Sequence, residues 1–192
     1  GLDAITNILV TQNAIVDGSI SGVASYSWTQ ITGPGLITFG TPALEDTTIS
    51  ANLDGIYTIR LTVIDYAGNS AFDEITFTWD TLAPTTTDNA PIGWQNSDVT
   101  VNLFPTDILS GIANTLYCVD QINSCIPGTS GTSVFVSAEG INYVRYYSTD
   151  VAGNTESTKS AQVWIDKSAP IVNAGLDAIT NILVTQNAIV DG

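Results

Sequence analysis

In YTIRLTVID (57–65), Tyr57, Ile59, Leu61 and Val63 alternate with Thr58, Arg60, Thr62 and Ile64. A period of two is the mark of a strand with one face towards a core. EITFTW sets Ile75, Phe77 and Trp79 on one face, and VTVNL (99–103) and VRYYS (144–148) are further β-rich runs. Turn residues separate these runs: DGS (17–19), TGPG (32–35), DG (54–55), AGN (67–69 and 152–154) and PGTSG (127–131). Gly, Asn and Asp there supply the positive φ and local hydrogen bonds that turns need. Nowhere does an apolar stripe of helical spacing extend over three turns. The pattern predicts an all-β chain, with six or seven short strands to each antiparallel sandwich.

The chain repeats itself at two scales. Residues 1–18, GLDAITNILVTQNAIVDG, return unchanged as residues 175–192. Either the sequence overlaps itself or it spans one period of a tandem array of near-identical copies, and the array is the stronger reading. Inside that period, Gly55-Ile56, Arg60, Asp65, Ala67-Gly68-Asn69 and Trp79 return 85 positions later as Gly140-Ile141, Arg145, Asp150, Ala152-Gly153-Asn154 and Trp164. The linkers answer each other too, WDTLAP (79–84) and WIDKSAP (164–170). Two tandem Ig-like antiparallel β-sandwich domains follow: 1–80, a linker at 81–84, a second domain at 85–166, and at 167–192 a linker with the start of the next repeat. The chain starts mid-pattern at Gly1-Leu2-Asp3, and so reads as a segment of something longer.

VDGSIS (16–21), SYSWTQITGPG (25–35), GIYTIRLTVIDYAGN (55–69) and NAGLD (173–177) resemble the PKD-type Ig-like domains of secreted and surface proteins. The run Ser-Tyr-Ser-Trp-Thr-Gln departs from that family's better-known glycine-aspartate-glycine loop, so ligand roles tied to the loop do not transfer. GWQNSDVTVNL (93–103), TDILSGI (106–112), VSAEGINYVRYYSTDVAGNTE (136–156) and VWIDKSAP (163–170) resemble the bacterial Ig-like β-domain named after a leptospiral outer-membrane protein. Both resemblances imply sandwiches at a prokaryotic cell surface or outside the cell. Such modules serve as spacers in adhesins, filaments, surface layers and secreted hydrolases, so fold alone does not choose a function.

Composition narrows the partners. The chain has 19 Asp+Glu against 4 Lys+Arg, a formal charge of -15, and no His. A polyanion such as nucleic acid needs clustered Lys and Arg, which are missing. Anionic membrane surfaces are disfavoured on the same ground, and no run approaches the ~20 apolar residues of a membrane span. Imidazole catalysis and His-ligated metals are excluded, and Ser or Thr nucleophiles have no histidine base. Fifteen of the acids are Asp, the carboxylate favoured at turns and oxygen-rich cation sites.

Cys118 and Cys125 flank a polar turn after the strand NTLYC. Two residues facing each other across a hairpin stand within disulfide reach, and closing so short a loop contributes about 2–3 kcal/mol. A reduced pair in a cytosolic protein is the alternative; no further Cys or His completes a metal tetrahedron. The disulfide implies an oxidising compartment. Asp65 and Asp150 each open a D-x-A-G-N turn, Asp80 and Asp166 stand in the linkers, and Asp107 (with Asp17) lies in a loop that could face a linker. Clustered Asp suit calcium, which takes six to eight oxygens; the simpler reading makes D-x-A-G-N only a turn. In similar tandem Ig-like adhesins, linker calcium rigidifies a rod. Trp28 is expected in a core. Trp94, in the loop PIGWQN, is the aromatic placed to stack on a ligand, with packing at the core edge as the other reading.

The combined expectation is a non-enzymatic structural segment of an extracellular filament, stalk or adhesin shaft, with calcium as its one candidate cofactor. Its partners are neighbouring copies of itself, in the same chain or head to tail, or surface glycans and other cells. Strands of about 10 residues span ~33 Å, so a two-domain period would advance a rod by roughly 70–80 Å. The alternative is a carbohydrate-binding or spacer module of a secreted polysaccharide-degrading enzyme. The opening strand of the first domain, IVNAG, is found only at 171–175; it belongs to the preceding copy in the same chain, the stronger reading, or a neighbouring molecule donates it. That strand would close an otherwise raw sheet edge.

Overall fold

The computed structural model describes residues 4–16, 19–173 and 189–191, the last three in backbone only. Asp17 and the stretch 174–188 lie outside the described residues. The first unit has seven strands: β1 (Ala4–Thr6), β2 (Val10–Gln12), β3 (Val23–Thr32), β4 (Ile37–Phe39), β5 (Thr47–Ala51), β6 (Gly55–Asp65) and β7 (Ser70–Trp79). One sheet runs β1-β7-β6-β3 and the facing sheet β2-β5-β4. Neighbours pair antiparallel, except that β1 lies parallel to the end of β7, Ala4 opposite Phe77 and Thr6 opposite Trp79.

The second unit has eight: β8 (Thr85–Asp88), β9 (Trp94–Gln95), β10 (Val99–Thr106), β11 (Ile112–Asp120), β12 (Thr129–Ser130), β13 (Ser133–Val136), β14 (Gly140–Asp150) and β15 (Lys159–Ile165). Its sheets run β12-β11-β14-β15-β9 and β13-β10-β8, with β9 parallel to β15. Strands β16 (Ile171–Asn173) and β17 (Ile189–Asp191) pair antiparallel beyond it. The chain is all-β and forms two β-sandwich units, as the alternation predicts.

Each core is built by the inward half of an alternating pattern. Tyr57, Ile59 and Leu61 of β6 meet Trp28, Ile49, Ile75 and Phe77. Val144 and Tyr146 of β14 meet Val101, Leu103, Val134, Val136, Val163 and Ile165. Trp28 is buried, its indole N–H donating to the carbonyls of Leu44 and Glu45. The Tyr57 hydroxyl donates to the Leu53 carbonyl at 2.6 Å. A Cβ at Gly33 would stand 2.0 Å from the Tyr57 ring, and Gly33 has φ +147. Only glycine fits the TGPG turn there. On the outer face, Arg60 pairs with Glu74 and lies 4.1 Å from the Phe72 ring centroid. Arg145, the repeat counterpart of Arg60, donates instead to the Cys125 carbonyl at 2.7 Å.

Candidate functional site

Antiparallel pairing decides which acids can meet. Strand β6 ends at Asp65, and β7 returns to end at Trp79, so Asp65 and Asp80 occupy opposite poles of the first unit. The same geometry separates Asp150 from Asp166 in the second. What meets is the linker acid of one unit and the D-x-A-G-N acid of the next. Carboxylate oxygens of Asp80, Asp107 and Asp150 all lie within 4.8 Å of one another. Asp80 and Asp150 are buried and Asp107 is half-buried.

Each acid is fixed by its own short segment. Asp107 Oδ1 accepts from the backbone N–H groups of Leu109, Ser110 and Gly111, folding the β10–β11 loop around itself. Asp150 accepts the backbone and side-chain N–H of Asn154 at 2.8 Å each. Asp80 accepts from the N–H of Leu82 at 3.1 Å and of Ser110 at 3.1 Å, and its own N–H donates to the Thr6 carbonyl. Asn154 Nδ2 also donates to the Asp80 carbonyl, and its Oδ1 accepts from Asn7 Nδ2 at 2.8 Å. Asn154 thus joins the first unit, the linker and the second unit. Every described partner of the three carboxylates is a neutral donor. Three like charges so close repel strongly in a low-dielectric site, and a divalent cation relieves that repulsion.

The cluster is a buried acidic group able to coordinate a divalent cation. A carboxylate offers about four lone-pair sites, more than the hydrogen bonds on Asp80 and Asp150 use, so these residues fit a hard, oxygen-seeking ion. Among the described acids singled out from sequence, Asp80, Asp107 and Asp150 come together, whereas Asp65 and Asp166 stand elsewhere. Asp65 repeats the Asp150 turn, with Asn69 in the place of Asn154. The Asn69 side-chain amide holds its carboxyl at about 2, against the opposing push of burial, with help from the Asn69 backbone N–H and the Ser19 and Ser21 hydroxyls. Asp166 repeats Asp80: its N–H donates to the Gln95 carbonyl, and its Oδ1 accepts from Ser168 N. Unlike Asp80, it is exposed.

Cys118 and Cys125 form a disulfide with Cα atoms 6.2 Å apart. They are not opposite each other across a hairpin. Cys118 lies opposite Arg145 on the neighbouring strand, and Cys125 sits in the loop beyond β11. Asp120 shapes that loop by accepting from the N–H groups of Ser124, Cys125 and Asn123, which lowers its carboxyl pKa. Trp94 is not in a loop but opens β9, opposite Trp164. Its ring is 58% exposed and meets Trp164 at 5.6 Å with the planes tilted by 56°.

Two parts of the molecule escape sequence reading. Asn7 sits in an unremarkable turn, and nothing local marks its reach of 147 residues to Asn154. Glu156 is the hub of a buried polar network: it accepts from Thr86 N, the Thr86 hydroxyl and Ser148 N, and it pairs with Lys159 at 2.9 Å. The one visible signal for Glu156 was its place just after the AGN turn.

Residues 4–78 match the family model described as K319L-like, PKD domain. No curated protein matches the chain. Among solved structures, the chain is similar to the fibronectin(III)-like modules of Clostridium thermocellum CbhA, at 14% identity and TM-score 0.45, covering 86% of this chain and 89% of that one. It is also similar to the PKD domain of the KIAA 1837 protein, at 18% identity and TM-score 0.34, covering 41% and 76%. A third similarity is to a protocadherin gammaB7 cis-dimer, at 10% identity and TM-score 0.36, covering 86% of this chain and 48% of that one. Among the described residues no helix is long and apolar enough to cross a membrane. Over residues 4–78 the first β-sandwich unit is thus similar to a PKD domain.

Proposed function

We propose that this chain is a structural connector in an extracellular, prokaryotic protein: two sandwich domains, 1–80 and 85–166, held end to end by calcium bound to Asp80, Asp107 and Asp150. The observation that carries the reading is the meeting of three carboxylates from three separate segments at the junction. When bound, the ion would tie the linker to the second unit and turn a hinge into a fixed angle. The disulfide accords with an oxidising compartment. The resemblance of 85–166 to the leptospiral-type Ig-like domain supports a prokaryotic surface or secreted setting. Two settings ask this behaviour of a connector. One is the shaft of a filament, stalk or adhesin, where near-identical copies set length. The other is a spacer in a secreted polysaccharide-degrading enzyme, and the CbhA similarity accords with that second setting.

Calorimetric titration of the EDTA-stripped chain with calcium chloride is the test. The expected result is a saturable heat, a higher melting temperature with calcium, and loss of both in Asp107→Asn and Asp150→Asn. No heat together with an unchanged melting temperature would sink the calcium assignment.

A further inference from the structure

The outer faces of the two large sheets follow one plan and carry different side chains. In the first unit, Ile5, Thr78 and Ile56 lie side by side across β1, β7 and β6, and Thr58 and Thr62 follow along β6. In the second, Trp94, Trp164 and Ile141 lie side by side across β9, β15 and β14. Tyr143 and Tyr147 then stand where the first unit has Thr58 and Thr62. The repeated tryptophan changes face between the units. Trp79 is opposite Gly55 and packs against the first core, whereas Trp164 is opposite Ile141 on the outer face. A slip of one residue in register turns a side chain to the other face of its sheet. Four aromatic rings therefore stand at surface positions that the first unit fills with Ile and Thr, so pairing of the sheet does not require them.

We infer that this row of rings binds a neutral, extended, β-linked polysaccharide. A sugar ring has an apolar C–H face and a rim of hydroxyls, and an aromatic ring with a polar tip suits both. Trp94 is exposed and leans on Trp164 at 5.6 Å, while the Trp164 indole N–H donates to Gln162 Oε1 at 2.9 Å. Tyr143 and Tyr147 are half-buried on the outer face, out of step with the buried Val144 and Tyr146. Among the described residues their hydroxyls make no hydrogen bond, whereas those of the inward Tyr57 and Tyr146 are both partnered. Six residues of β14 separate the tryptophan pair from Tyr147, a run of about 20 Å with room for several sugar rings in line. Charge selects the occupant. Arg145 and Asp120, the two charged groups beside the row, are opposite in sign and both turned to the disulfide loop. The face is thus neutral, on a chain whose net charge of -15 repels anionic polymers and a second copy alike. A peptide strand finds no main-chain groups to pair with, because β14 is bonded to β11 on one side and β15 on the other. A straight row also suits a chain that carries its rings in line better than one that coils.

The test titrates the 192-residue chain with cellohexaose, hexa-N-acetylchitohexaose and maltohexaose, read by calorimetry and by tryptophan emission. The expected result is saturable binding of at least one of the two β-linked hexasaccharides with a shift in emission, and binding of the coiling maltohexaose at least tenfold weaker. Trp94→Ile, and Tyr143→Thr together with Tyr147→Thr, install the residues that the first unit carries at these positions. Their melting temperatures should therefore hold, while each variant weakens binding at least tenfold. Phe135→Thr removes a ring that is 64% exposed on the other sheet of the same unit, and should leave binding unchanged. No saturable binding of either β-linked hexasaccharide, maltohexaose bound as well as they are, or affinity indifferent to the Trp94 and tyrosine substitutions would overturn the inference. So would a loss in F135T as large as theirs, since that would mean general adsorption to exposed rings. The row shares no residue with the Asp80, Asp107 and Asp150 cluster, so this inference and the calcium assignment can fail separately.

Discussion

The same aspartate does two jobs in this chain according to what stands above it. Asp65 and Asp150 close identical turns through Asn69 and Asn154, yet among the described residues only Asp150 is met by a linker acid. For Asp65 the hydrogen bonds act alone and hold its pKa at about 2, below the ordinary 3.8. A carboxyl depressed on folding contributes stability above its unfolded pKa and loses it as pH falls through the folded value. Urea midpoints should therefore fall between about pH 4 and pH 2, and Asp65→Asn should flatten that acid limb. An equally steep limb in the variant would remove Asp65 as its source. D-x-A-G-N was legible in the sequence as a turn and its Asp as a candidate ligand. Which acid it would face was not, because pole and pole are set by strand direction rather than by spacing.

At the scale of the element, the long strands were the readable part. Tyr57, Ile59 and Leu61 alternate with polar neighbours over enough residues for β6 to be assigned from pattern alone, and Val144 with Tyr146 marks β14 likewise. The short strands β8 and β9 were not readable as strands. TTTD has no apolar face, because its inward residue Thr86 is satisfied by Glu156 and Ser148 rather than by a core. Trp94 read as a loop residue because β9 is two residues long and takes its identity from β15. Burial pushes Glu156 up, but the Thr86 hydroxyl and Lys159 outweigh it and hold its carboxyl below its usual value. Glu156→Ala would strand the N–H groups of Thr86 and Ser148, at a cost of about 1–3 kcal/mol. Denaturant unfolding should show that loss. Hydrogen exchange should show protection lost first across Thr85–Asp88; a uniform loss would mean that Glu156 does not pin β8.

For the whole molecule, the repeats were the most informative feature of the sequence, since they give the unit, the linker and the order of units. The junction was half legible: Asp80, Asp107 and Asp150 carry a chemistry that spacing can suggest, whereas Asn7 and Asn154 meet only because two units stack. The four basic residues are all engaged, Arg60 with Glu74, Arg145 with the Cys125 carbonyl, Lys159 with Glu156 and Lys167 with Asp98. The other acids leave the chain with a net charge of -15, so two such chains side by side would repel one another. An end-to-end arrangement of units is the one that this repulsion least opposes.

The parallel pairing of β1 with β7 and of β9 with β15 has a mechanical meaning. Tension along the chain draws the start of β1 one way and the end of β7 the other, along strands that run in the same direction. Their hydrogen bonds are then loaded together in shear, and they must fail together rather than peel one at a time. Single-molecule pulling through the two ends of the first unit should need more force than pulling through Asp54 and Thr81, which peels β6 from β7 bond by bond. Equal forces in the two directions would mean that β1 is no clamp. A connector that lengthens only when a whole unit gives way can hold a fixed span under load.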